Sequence, residues 1–202
     1  MRNTILTLMF VLCLSAPALA EDRKGDVWPL NTCAVSGEEL GGMGEPVVKV
    51  YDGREVRFCC AGCIRNFEKN KESFLQKADA AIIAQQKANY PLETCLNSNE
   101  PLGKEPVEAV VGNRLVRSCC KDCMDALKND PAGTVAKLDA AVIAKQKPGY
   151  KATTCPVSDH KVEGDGVDAV VAGTYVKLCC KECKAGLEKN PSAALKKAAE
   201  AK

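Results

Sequence analysis

Cys59-Cys60-Ala61-Gly62-Cys63, Cys119-Cys120-Lys121-Asp122-Cys123 and Cys179-Cys180-Lys181-Glu182-Cys183 repeat one five-residue pattern at intervals of 60 residues. Each copy is preceded by a lone cysteine: Cys33, Cys95 or Cys155. Four thiols within about 30 residues, in an arrangement kept through three copies that otherwise differ widely, either hold a soft metal ion or close disulfides. The chain is a triplicated four-thiol module, and most of its functional question reduces to that choice.

The elements that must position these thiols can be read from the flanking residues. After each lone cysteine and a polar loop come two short β-rich runs: Val47 to Tyr51 and Glu55 to Phe58, Val107 to Val111 and Leu115 to Ser118, Val167 to Val171 and Tyr175 to Leu178. Asp52-Gly53, Gly112-Asn113 and Ala172-Gly173 link them, the first two being strong tight-hairpin signals and the third a weaker but compatible one. The double cysteine therefore sits where the second strand ends. A short helix is predicted from about Ala61 to Lys69, Lys121 to Lys128 and Lys181 to Lys189.

A second helix follows, announced by Asp130-Pro131 and Asn190-Pro191 as N-cap with proline at the first helical position, and by Asn70-Lys71 in the first copy. Leu75, Ala78 and Ile82, matched by Val135, Leu138 and Val142, recur at one-face helical spacing and should cover the hairpin. Gln85 to Asn89 and Lys145 to Gly149 read as polar connections. The predicted class is α+β: three tandem ββα modules, each with an additional helix, spanning 21–87, 88–147 and 148–202. A module of about 60 residues buries only about 60% of its unfolded surface, so a metal or disulfide staple is useful. Aromatic residues are few, and Trp28, Tyr90 and Tyr150 at the module starts are predicted to pack against each hairpin.

At a strand-to-helix turn, Cys59 and Cys63 can face one point, and the bend of the backbone lets Cys60 join them. Cys33, brought by the preceding loop, can then close a tetrahedron of thiolates around zinc or another soft ion. The amides of a helix N-terminus favour the thiolate form. The same reading applies to Cys95, Cys119, Cys120 and Cys123, and to Cys155, Cys179, Cys180 and Cys183.

Cys33-Ala34-Val35-Ser36-Gly37, Cys155-Pro156-Val157-Ser158-Asp159, the hairpin, and Phe58-Cys59-Cys60-Ala61-Gly62-Cys63 followed by Phe67 resemble the YHS and TRASH modules. These are small treble-clef-like domains implicated in heavy-metal binding, sensing and trafficking. The resemblance covers essentially the whole mature chain, three times over. Its pattern of one cysteine, a gap of about 20 to 25 residues and Cys-x3-Cys falls on Cys33, Cys59 and Cys63, on Cys95, Cys119 and Cys123, and on Cys155, Cys179 and Cys183. Related zinc-ribbon-like modules carry a second cysteine where this chain has Ser36, Ser98 and Ser158, and the family commonly has serine where this chain has Cys60, Cys120 and Cys180. The resemblance implies zinc or copper(I), up to three ions per chain, with either a relocated fourth ligand or a three-thiolate site beside a bystander cysteine. The middle copy, with Cys95-Leu96-Asn97-Ser98, departs furthest in its loop.

The first twenty residues carry Arg2, an apolar run from Ile5 to Leu14, and Ala16-Pro17-Ala18-Leu19-Ala20. This reads as a secretory signal peptide cut after Ala20, which would discard Cys13 and deliver the chain to a periplasm or outside the cell. The run is shorter than the roughly 20 residues needed to span a bilayer, so no membrane association is expected after cleavage. Loss of Arg2 leaves 27 basic against 26 acidic side chains, a balance that argues against nucleic-acid binding.

An oxidising compartment keeps two readings open, a disulfide-stapled interaction module and a metal-binding one. Adjacent cysteines rarely pair with each other, which favours metal. A thiol oxidoreductase built on Cys60 and Cys63 would need a larger scaffold, and Cys59 would offer it a wrong partner. The single histidine, His160, occurs in one copy and has no recurring carboxylate partner, so it reads as a surface residue. The expectation is a non-enzymatic protein whose partners are soft metal ions and, where those ions are structural, another protein.

Overall fold

A computed structural model describes residues 25–200; the expected signal segment and Cys13 lie outside them. Three antiparallel hairpins form three separate two-stranded sheets. They are β1 (Val47–Tyr51) with β2 (Arg54–Phe58), β3 (Val107–Val111) with β4 (Arg114–Ser118), and β5 (Val167–Val171) with β6 (Thr174–Leu178). Their registers are equivalent, with Val47 opposite Phe58, Val107 opposite Ser118 and Val167 opposite Leu178, so each cysteine pair leaves its sheet at the same point. The following helices are α1 (Ala61–Lys69) and α2 (Lys71–Lys87), α3 (Lys121–Asn129) and α4 (Pro131–Gln146), and α5 (Glu182–Lys189) and α6 (Pro191–Glu200). The chain is α+β, with three similar units of a hairpin followed by helices. Among the described residues no helix is long and apolar enough to cross a membrane.

Local chemistry accounts for the turns and caps. Asp52-Gly53 and Ala172-Gly173 take positive φ at both positions, 51° and 78° in one, 49° and 70° in the other. This is the geometry whose twist matches the flanking strands. Ala172 adopts it despite its Cβ, at a cost on the order of 1 kcal/mol. Asp130 caps α4 by accepting from the Gly133 amide at 3.0 Å, and Asn190 accepts from the Ala193 amide at 3.2 Å, as the Asp-Pro and Asn-Pro pairs predict.

Each unit keeps its own apolar cluster. Trp28, Val56, Phe58 and Phe67 are buried together in the first, Val116, Met124, Leu127 and Leu138 in the second, and Val176, Leu178, Leu187 and Ala194 in the third. The indole of Trp28 donates to the Thr32 carbonyl at 3.1 Å. Tyr90 accepts from the Arg117 amide at 3.1 Å, and Tyr150 meets the ring of Tyr175 edge-on at 5.0 Å. The three module-start aromatics thus pack on their hairpins as predicted.

The second helices and the polar tracts after them differ from expectation. Rather than covering its own hairpin alone, α2 also lies on β3 and β4 of the next unit, and α4 likewise lies on β5 and β6. Gln86, read as part of a polar connection, falls inside α2 and is buried. Its side-chain amide donates to the Asn113 carbonyl at 3.0 Å and accepts from the Leu115 amide at 2.9 Å. Gln146 repeats this on the third hairpin, donating to the Gly173 carbonyl at 3.0 Å and accepting from the Tyr175 amide at 2.8 Å. A primary amide presents an acceptor oxygen and a donor NH2 on the same carbon, the complementary pair that a passing backbone would supply. The helical stripe fixes a buried face, but not which neighbour buries it.

Polar contacts join the units in sequence and then close on themselves. Asn113, fully buried, donates to the carbonyls of Asp26 at 2.7 Å and Glu55 at 2.9 Å, and accepts from Arg54 at 3.1 Å. Gly112 beside it cannot be replaced cheaply, because a Cβ would lie 3.2 Å from Asp26 and 3.3 Å from Val135, in addition to the positive φ of 61°. Arg57 on β2 donates to the carbonyls of Glu188 and Lys189 at the end of α5, and Lys189 pairs with Glu45 at 2.9 Å. The first unit therefore touches both others. A cleft of about 280 Å³ at their meeting point is lined by Asp26, Arg114, Asp139, Asp168, Lys184 and Glu188, among others. Burial lifts the Asp139 carboxyl to about 6; Arg114 and Lys184 pull it down and Asp26 pushes it further up.

Candidate metal centre

The lone cysteine of each unit opens a tight turn that closes on its own backbone. The Cys33 amide donates to the Glu38 carbonyl at 2.8 Å, and the Gly37 amide donates back to the Cys33 carbonyl at 3.0 Å. Cys95 with Glu100 and Asn99, and Cys155 with His160 and Asp159, repeat the pattern at 2.7 to 3.0 Å. The pivot residues Gly37, Asn99 and Asp159 have φ of 73°, 61° and 60°. Glycine, asparagine and aspartate are the residues that enter this left-handed region most readily. The loop predicted only as polar is therefore a defined knuckle. His160 serves it through its main chain, and its side chain is exposed.

Opposite the knuckle, Cys59 follows directly on β2, Cys60 occupies the N-cap of α1 with extended backbone, and Cys63 lies in the helix's first turn. The sulfurs of Cys33, Cys59 and Cys63 all lie within 4.8 Å of one another, as do those of Cys95, Cys119 and Cys123, and of Cys155, Cys179 and Cys183. Each group can hold a metal ion. Cys60 stands outside the first group although its sulfur is 4.0 Å from Cys59 and 3.8 Å from Cys63, so the long edge is the one to Cys33. Cys120 is 3.8 Å from Cys119, and Cys180 is 3.8 Å from Cys179 and 3.5 Å from Cys183, again outside the groups. A tetrahedral zinc with Zn–S bonds near 2.3 Å needs sulfur–sulfur edges of about 3.8 Å. The Cys59–Cys63, Cys119–Cys123 and Cys179–Cys183 edges, at 3.6, 3.8 and 3.5 Å, are close to that value. All are far longer than the roughly 2.05 Å of a disulfide, and the described cysteines are free thiols.

Ser36, Ser98 and Ser158 place their hydroxyls 3.5, 3.4 and 3.3 Å from the sulfurs of Cys59, Cys119 and Cys179. These serines touch one cysteine of each candidate group without belonging to it. Groups in this position orient ligands and tune their basicity. The middle unit adds Asn97, whose amide donates to Cys123 at 3.4 Å. That contact had no clear sequence signal, because asparagine occurs there in one copy only.

The knuckle also sets where the first negative charge rests. Burial pushes the Cys33 thiol up, but the Ser36 hydroxyl and amide, with the amides of Cys59 and Val35, outweigh it and bring it down to about 6. Cys95 and Cys155 are likewise held at about 6 against burial by amides of their knuckles and by Ser98 and Ser158. Cys63 moves the other way, pushed up by burial and then by the neighbouring sulfurs. Cys183 reaches about 12 through burial and the neighbouring cysteines, with Ser158 opposing. A thiolate at the knuckle beside further thiols attracts a soft cation, and the set sheds protons as the ion binds.

Compared with family models, curated proteins and solved structures, the chain matches none.

Proposed function

We propose that the protein is an exported, non-enzymatic carrier of soft metal ions, binding one zinc or copper(I) ion in each unit and up to three per chain. The units, on this reading, are YHS/TRASH-like modules of treble-clef type. The observation that carries it is the grouping of three cysteine sulfurs within 4.8 Å in every unit. Thiolates select zinc and copper(I) over harder ions. Cys33, Cys59 and Cys63, with their counterparts, hold the ion. Ser36, Ser98 and Ser158 orient one ligand of each set. Three ligands with an exposed cysteine alongside suit an exchangeable cargo better than a closed structural site does.

The test is to purify the mature protein from an oxidising compartment without chelators, and to measure bound metal by mass spectrometry beside thiols titrated under denaturing conditions. About three ions and about twelve thiols per chain are expected. Cys63→Ser should lower the ion count by about one. No metal together with no free thiols would sink the reading and leave a disulfide-stapled interaction module.

A further inference from the structure

Two sulfur triangles share one edge in the first unit. The inner triangle is Cys33, Cys59 and Cys63, with Cys33 and Cys59 buried. The outer one is Cys59, Cys60 and Cys63, with edges of 4.0, 3.6 and 3.8 Å and an exposed Cys60. The third unit has the same outer triangle, Cys179, Cys180 and Cys183, at 3.8, 3.5 and 3.5 Å. Because Cys33 and Cys60 are too far apart to serve one compact four-sulfur site, the shared edge carries two overlapping three-sulfur positions, one facing solvent and one beneath it.

Resting on the metal-binding reading above, we infer that the outer triangle is a loading position: a soft ion is captured by Cys59, Cys60 and Cys63 and passes inward by exchanging Cys60 for Cys33. The step is a ligand substitution. The metal–sulfur bond to Cys60 breaks as the bond to Cys33 forms, and Cys60 takes up a proton while Cys33 remains or becomes a thiolate. The ion's charge and oxidation state do not change, and Cys59 and Cys63 hold it throughout, so it never returns to water. Release runs the same path in reverse. Cys60 thereby acts on the rate of exchange and leaves the resting ligand set alone, which explains why the most exposed thiol of the unit sits beside two ligands without joining their group.

The experiment uses the full mature chain loaded with copper(I), challenged with an excess of a chromogenic copper(I) chelator and followed by stopped flow. In Cys60→Ser, all three ions should bind with unchanged affinity. About a third of them should then leave roughly 10- to 100-fold more slowly than in the parent, the third unit, with its outer triangle intact, supplying an unaltered phase as an internal control for folding. Cys180→Ser should do the same to the third unit. Release at the parental rate in both variants would overturn the inference, and so would loss of one ion, which would make Cys60 a permanent ligand. A parent chain that binds no copper(I) or zinc would instead defeat the metal-binding reading beneath it.

Discussion

Arg57 donates to the Lys189 carbonyl at 2.8 Å, tying the strand that leads into Cys59 to the end of the helix that begins beside Cys183. The two residues lie 132 positions apart, and their contact closes three tandem units into a ring. A linear array of small repeats would leave its terminal hairpins uncovered. Here the end of α5 in the third unit meets β2 of the first through Arg57 and Lys189. The guanidinium also pairs with Glu55 at 3.2 Å, with both side chains almost fully buried.

Arg57→Ala should therefore be among the most destabilising single changes outside the apolar clusters. It strips a buried pair of its cation and removes donors from two helix-terminal carbonyls. A loss of about 3–5 kcal/mol is expected. Urea denaturation followed by circular dichroism would measure it as a lowered midpoint, and an unchanged midpoint would mean that the closure contributes nothing to stability.

Gln86→Ala and Gln146→Ala each remove a two-way amide contact with the following hairpin, leaving a backbone amide and carbonyl without those partners, buried in the first case and part-buried in the second. Each should cost about 1–3 kcal/mol. The two joints lie in different unit pairs, so the double variant should show nearly additive losses. Hydrogen exchange should localise each effect, with faster exchange of the Leu115 amide in the first variant and of the Tyr175 amide in the second.

These residues also mark where sequence reasoning stops. The strand, turn and helix order could be read because each depends on neighbours: Asp52-Gly53 on backbone twist, Asp130-Pro131 on a cap, Leu138 and Val142 on a helical stripe. The meeting of Cys33 with Cys59 and Cys63 could be read because repetition fixed the spacing. Gln86, Asn113 and Arg57 sit in tracts whose composition suits solvent, and only the placement of another unit makes them buried. The knuckle could have been found from Gly37, Asn99 and Asp159, which share a tolerance for positive φ although their side chains differ.

Asp139 supplies a pH-dependent prediction. Its carboxyl titrates near 6 in the folded chain, chiefly through burial, against about 3.9 when unfolded. A raised carboxyl pKa means that ionisation is harder in the folded state. The resulting penalty is absent below about pH 4, grows through about pH 6 and is complete above it. Asp139→Asn should remove that penalty, making the variant more stable than the parent by roughly 1–3 kcal/mol at neutral pH. The advantage should vanish at about pH 4. Urea midpoints of both proteins across this range would show it, and a variant less stable than the parent at neutral pH would instead show that the Arg114 pairing outweighs burial.

Ser36→Ala tests whether the hydroxyl beside Cys59 matters to the ion itself. Ser36 lies 3.5 Å from the Cys59 sulfur, also accepts from the Glu38 amide at 3.3 Å, and helps hold Cys33 as a thiolate. Removing it frees one ligand to rotate and returns the Cys33 thiol toward its ordinary range, so protons compete better with the metal. The affinity of that unit should fall about 10- to 100-fold, the effect typical of losing a group that orients a ligand. The other two units should be unchanged, so a competition titration should resolve one weakened ion beside two of parental strength. The deficit should shrink as pH rises and Cys33 ionises without help. A deficit constant with pH would assign Ser36 an orienting role alone, and no deficit at any pH would show that the hydroxyl is irrelevant to binding.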